Sequence, residues 1–143
     1  MPENDTPFRI GAEFNNLAAV KAFVCRRAEE LEAPELLWSK LELVMEEIFL
    51  NIVHHATPKT GTEIEVNCSR LGRGDAPSGM FCVTVQDWGP PFNPLEREDP
   101  VLEQDLNSRT IGGLGIYLIT QMADHCAYAR QDESNIFTVC FSD

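Results

Sequence analysis

The stretch Leu41 to Ala56 reads LELVMEEIFLNIVHHA, and its apolar residues Leu41, Val44, Ile48 and Ile52 recur at the spacing of one helical face. Glu47, Asn51 and His55 form a second stripe beside that face, so a carboxylate and a carboxamide stand one turn apart at the rim of the buried side. Polar groups in such a place are costly unless they are paired or used. On this helix alone the wet edge of an amphipathic helix is the simpler reading of Glu47 and Asn51. The rest of the chain reverses it.

Upstream, Phe8 to Phe14 (FRIGAEF) alternates apolar and polar residues and predicts a short edge strand. Asn15 or Asn16 caps a helix whose apolar face is Leu17, Val20, Phe23, Val24, Ala28 and Leu31, with Arg26, Arg27, Glu29 and Glu30 on the solvated side. Ala33-Pro34 separates it from the next helix, with Pro34 suited to a first turn. Downstream of Ala56, Thr62 to Arg70 and Gly79 to Gln86 read as two strands. The loop Leu71 to Ser78, with its two Gly and one Pro, pairs them antiparallel. The second strand ends at Asp87, because Pro90-Pro91 cannot continue a ladder.

Asn93 to Ile111 shows little apolar periodicity and is rich in charge, which predicts a lid spanning about 93–111, with one helical turn around Val101 to Leu106. Gly112 to Gly115 then opens a helix, Ile116 to Asp124. Strands follow at His125 to Arg130 and Ile136 to Phe141, joined by a polar turn, Gln131 to Asn135. Antiparallel strand pairs separated by helices predict an α+β, two-layer α/β sandwich: one mixed, mostly antiparallel sheet with the helices on one face.

A chain of 143 residues suits a single domain, residues 1–143, with 43% hydrophobic and 24% charged residues. The net charge of −12 argues against a sequence-independent grip on nucleic acid or on anionic lipid, and favours a partner with a basic face. The five cysteines, Cys25, Cys68, Cys82, Cys126 and Cys140, show no metal-type spacing. Those within apolar runs, Cys68, Cys82 and Cys140, read as free thiols in a core, and a reducing cytoplasm is the simplest compartment. Neither a secretory leader nor a membrane-spanning run is legible.

Asp87 closes a buried strand at a turn, a rigid place from which a carboxylate can accept a hydrogen bond, for example from an adenine amine. Gly89 would let a flat ring come close to the backbone. An ordinary Asp-x-Gly turn is the alternative. Gly112 to Gly115 at a helix start offers backbone N–H groups to an anion, and Arg109 just before it is placed either to neutralise a phosphate or to be a solvated loop charge. The chain lacks a GxxxxGK[ST] loop and the third glycine of a dinucleotide fingerprint.

In this order the boxes MEEIFLNIVHHA, DWGPPFNP and GGLGIYLITQMAD resemble those of the GHKL superfamily of ATP-binding domains, which share the Bergerat fold. The closest resemblance is to its small stand-alone branch, the bacterial anti-sigma-factor serine/threonine protein kinases, and it covers essentially the whole chain. The resemblance implies ATP and Mg²⁺ as cofactors. Asn51 would be the metal ligand and Glu47 the general base; Asp87 would read the adenine amine with Gly89 beside the ring, and Phe92 of the same turn would belong to the nucleotide site. Gly113, Leu114 and Gly115, with Arg109, would contact phosphates, and Thr138 would lie near the base. His55 matches a histidine of the first box, or is a structural residue at a helix end. The implied function is phosphorylation of an anti-anti-sigma (antagonist) protein and sequestration of a sigma factor, with homodimerisation a further expectation. A non-catalytic, ATP-dependent partner switch stays open beside it. An ATPase or histidine-kinase fragment is less favoured, because the sequence shows no transducer segment or dimerisation helix pair.

Overall fold

In a computed structural model the described residues are 6–55, 62–70, 79–96 and 113–142. Five strands, β1 (Phe8–Gly11), β2 (Glu63–Arg70), β3 (Phe81–Asp87), β4 (His125–Gln131) and β5 (Ser134–Phe141), form one sheet in the order β1-β2-β3-β5-β4. Every neighbouring pair is antiparallel. Among the described residues three α-helices accompany the sheet: α1 (Leu17–Glu30), α2 (Trp38–His55) and α3 (Gly113–Met122). This is the expected α+β sandwich.

Strand alternation decides which face is buried. Ile64, Val66 and Cys68 of β2, Phe81, Val83 and Val85 of β3, and Phe137, Val139 and Phe141 of β5 are one set of alternate residues, all in a single apolar cluster. Val20, Phe23 and Val24 of α1, Leu41, Val44, Ile48 and Phe49 of α2, and Ile116 and Ile119 of α3 close over them. The helices therefore share one side of the sheet. Complete burial of a residue such as Phe49, Phe81 or Phe141 removes enough apolar surface to stabilise the fold by about 1.5–3 kcal/mol each.

The other face carries Glu65, Asn67, Thr84 and Thr138, and among the described residues no helix covers it. Cys82 and Cys140 stand directly opposite each other there, Cα atoms 4.1 Å apart, and are joined by a disulfide. This corrects the reading of both as free core thiols: cysteines 58 residues apart in sequence carry no pairing signal until the β3–β5 register brings them together. Cys25, Cys68 and Cys126 are free.

Three local readings also change. Arg27, assigned to the solvated side of its helix, is buried, with Nη1 donating to Glu30 at 2.7 Å and Nη2 to the Cys68 carbonyl at 3.5 Å. Asn16 occupies the N-cap of α1 but its side chain caps nothing, because Nδ2 donates back to the Gly11 carbonyl at 2.9 Å. The β4–β5 turn is shorter than Gln131 to Asn135. Only Asp132 and Glu133 lie outside the strands, at φ 52° and 66°. Two left-handed residues match the strand twist in a two-residue hairpin, but Asn-Gly is the favoured pair and a Cβ at φ > 0 costs about 1–2 kcal/mol. Glu133→Gly is therefore expected to raise stability by about 1 kcal/mol after its entropic penalty. The urea midpoint should rise at constant slope, and a midpoint at or below the wild-type value refutes the strain.

Candidate functional site

Where β3 ends, a slot of about 340 Å³, its open mouth included, separates α2 from the sheet. Ile48, Asn51 and Ile52 of α2 form one wall and Ile116 of α3 another. Tyr128, Phe137, Asn135 and Asp87 come from the strands, with Phe92 and Pro94 from the chain after β3. The lining is apolar except for a few converging polar groups, the usual make-up of a small-molecule site.

Asp87 is the last residue of β3 and is buried. Its Oδ1 accepts hydrogen bonds from the Gly89 N–H at 2.9 Å and from Asn135 Nδ2 at 3.0 Å. Its other oxygen, Oδ2, has no partner among the described residues. Gly89 is thus part of the Asp87 turn, and its carbonyl accepts from Arg130 at 2.8 Å.

Asn51 sits about one turn before the end of α2 with its side chain turned into the slot, and its Oδ1 is buried with no hydrogen-bond partner among the described residues. An unmade bond to a buried amide oxygen costs about 1–3 kcal/mol. Such an atom points to a ligand as its partner.

Glu47 lies one turn before Asn51 and is half-buried. No hydrogen bond fixes its carboxylate among the described residues. Burial pushes its pKa above the ordinary glutamate value, and the neighbouring Glu46 adds a smaller push in the same direction. The carboxylate rests against Gly115 in the first turn of α3: a Cβ placed there would lie 3.1 Å from Glu47 Cδ and overlap Oε1. Gly115 thus leaves the space in which the Glu47 carboxylate lies, and a side chain there would make that carboxylate move, a role that a motif reading confined to backbone N–H groups does not contain.

Gly113 and Leu114 begin α3, where the first N–H groups of a helix have no intrahelical acceptor. Arg109, Gly112 and the lid from 97 to 111 lie outside the described residues. So does the His55 side chain.

Thr138 is not brought to the slot. It alternates with Phe137 and Val139 and therefore projects from the opposite face, where its Oγ1 is 3.3 Å from that of Thr84. The residue of β5 that does reach the slot is Asn135, which a polar-turn reading of Gln131 to Asn135 had removed from the strand. The signal was present: extending the alternation of Phe141, Val139 and Phe137 by one more step reaches Asn135.

The chain from residue 10 to 141, which takes in every element from within β1 to the end of β5, matches the histidine kinase-like ATPase domain family. No curated protein matches it significantly.

Proposed function

The chain belongs to the histidine kinase-like ATPase domain family, and on that premise we propose that it is an ATP-dependent serine/threonine protein kinase that phosphorylates an anti-anti-sigma protein and otherwise holds a sigma factor inactive. The observation that carries the reading is the orphaned Asn51 Oδ1 on the wall that faces Asp87. An amide oxygen is a hard ligand of the kind magnesium takes when phosphate oxygens and water complete its shell. Among the described residues no group of three or more acidic, His or Cys side chains could hold a metal. The donor set present thus fits a cation that arrives with a nucleotide.

Each residue then has a task. Asp87 Oδ2 accepts from the exocyclic amine of adenine, while Phe92, Ile52 and Phe137 exclude water from the ring. Asn51 holds the magnesium ion, which when bound neutralises charge on the phosphates. The first N–H groups of α3 bind phosphate oxygens. Glu47 takes the proton of the acceptor hydroxyl as general base. The net charge of −12 complements a sigma factor's basic surface and speeds encounter with it. No helix among the described residues is long and apolar enough to cross a membrane, and we place the activity in the cytoplasm. The second reading, an ATP-dependent switch without catalysis, draws on the absence of any hydrogen bond that orients Glu47 among the described residues.

Calorimetric titration of ATP with and without Mg²⁺ tests the site. Mg²⁺ is expected to tighten binding by about tenfold or more, and Asn51→Ala to remove that increment while leaving the metal-free affinity nearly unchanged. Equal affinity with and without Mg²⁺ in the wild type would remove Asn51 as a ligand. Transfer of labelled phosphate to a co-encoded antagonist-type protein tests the kinase half, and no transfer would favour the switch.

A further inference from the structure

We infer that Asn135 sets the base specificity of the slot by fixing the Asp87 carboxylate, as a positioning residue that need not touch the base itself. The inference rests on the nucleotide reading above and deepens it. Asn135 is 4% exposed, at the start of β5, in direct register with Asp87 at the end of β3. Its amide has no freedom to turn over. Oδ1 accepts from the Tyr128 hydroxyl at 2.5 Å, the Phe92 N–H at 3.2 Å and Arg130 Nη1 at 3.3 Å. Three donors on one oxygen leave Nδ2 on the other side, where it donates to Asp87 Oδ1 at 3.0 Å and to the Pro90 carbonyl at 2.9 Å.

The consequence falls on Asp87. With the Gly89 N–H and Asn135 Nδ2 both on Oδ1, the carboxylate is held in one rotation, and Oδ2 is the acceptor left for a ligand. A base that presents a donor amine there is accepted. A base that presents a carbonyl oxygen in the same place, as guanine does, meets an acceptor and is rejected. Discrimination of this kind depends on the carboxylate being unable to swing away, which is what the bond from Asn135 supplies.

Asn135 also staples the loop from Gly89 to Phe92 onto the β4–β5 hairpin, so a purely structural role has to be separated from a specificity role. Asn135→Asp does this, because it keeps an oxygen for Tyr128, Phe92 and Arg130 and loses the Nδ2 donor shared by Asp87 and the Pro90 carbonyl, so the Phe92 N–H still holds the loop. Asn135→Ser removes both functions without adding charge, and serves if the aspartate variant does not fold. Dissociation constants for ATP and GTP are measured for the wild type and each folded variant. The wild type is expected to prefer ATP, and the ratio of the GTP to the ATP constant should fall at least about tenfold in the variants, chiefly through weaker ATP binding. A ratio unchanged within about twofold, or an equal loss of both affinities, overturns the inference and leaves the nucleotide reading intact. A wild type that binds neither nucleotide, or both alike, overturns that reading and this inference with it.

Discussion

Glu47→Gln is expected to lower phosphoryl transfer to a protein acceptor by about 10²–10⁴-fold, the usual contribution of a positioned general base, while ATP affinity changes little. The separation follows from where Glu47 stands. It is one helical turn from Asn51 but absent from the slot lining, so it can meet an incoming hydroxyl without holding the nucleotide. A carboxylate in that role works only when ionised. Because burial holds its pKa above the ordinary glutamate range, the rate should fall as pH drops through that raised value, at a higher pH than an exposed glutamate would give. The stability effect has the opposite sense. The folded state binds this proton more tightly than the unfolded chain, so the related stability is present below the unfolded pKa and is lost as pH rises through the folded one. Glu47→Gln should thus be no less stable than wild type at neutral pH, and its loss of activity would not trace to unfolding. Gly115→Ala supplies a matched control, since its Cβ would displace the same carboxylate without deleting it. Transfer by Glu47→Gln within about tenfold of wild type would dismiss Glu47 as the base and favour the non-catalytic switch.

Residues whose role is local were legible in the sequence, and residues whose role is set by register were not. The helix around Glu47 and Asn51 announces itself through period and through polar groups at the edge of an apolar face; it spans Trp38–His55, starting three residues before the Leu41 at which the pattern begins. Asp87 is legible because two prolines end its strand. Asn135 reads as turn chemistry because Asp132, Glu133, Ser134 and Asn135 are all polar, which masks the alternation running back from Phe141; the pairing of Asp87 with Asn135 places the last two in the strand. Thr138 lies on the face away from the slot for the related reason that a displacement of one residue along a strand moves a side chain to the other face. Arg27 is buried because, besides its bond to Glu30 on the same helix, it donates to the Cys68 carbonyl on a strand 41 residues away. Such a partner has no local signature.

Reduction of the Cys82–Cys140 disulfide is expected to lower stability by about 2–4 kcal/mol, near the 4 kcal/mol that chain entropy gives for a loop of 58 residues. For a domain of this size that is a fall of roughly 10 °C in the unfolding midpoint. The effect should act on the unfolded chain more than on the folded one, because β3 and β5 are paired over seven residues in all, the bonded pair included, and keep that ladder without the bond. The three free thiols offer little route to rearrangement. Burial pushes Cys68 up to about 12, and burial also raises Cys25 and Cys126, so each is poor in the thiolate that exchange requires. Cys82 and Cys140 are themselves only 2% and 3% exposed, which makes reduction depend on local opening of the sheet. In a reducing cytoplasm the domain would therefore work near its lower stability, and in an oxidising setting near its higher one. Thermal unfolding with and without reductant measures the difference. Cys82→Ala/Cys140→Ala should unfold at the reduced wild-type temperature and ignore reductant. A wild type equally insensitive to reductant, with all five cysteines open to thiol labelling after unfolding without reductant, would mean that the bond is not formed. The register that joins these cysteines is the one that sets Asn135 against Asp87 five residues further along each strand. Loss of the bond should therefore loosen nucleotide binding only slightly in the folded protein, since the seven-residue ladder holds that register by itself.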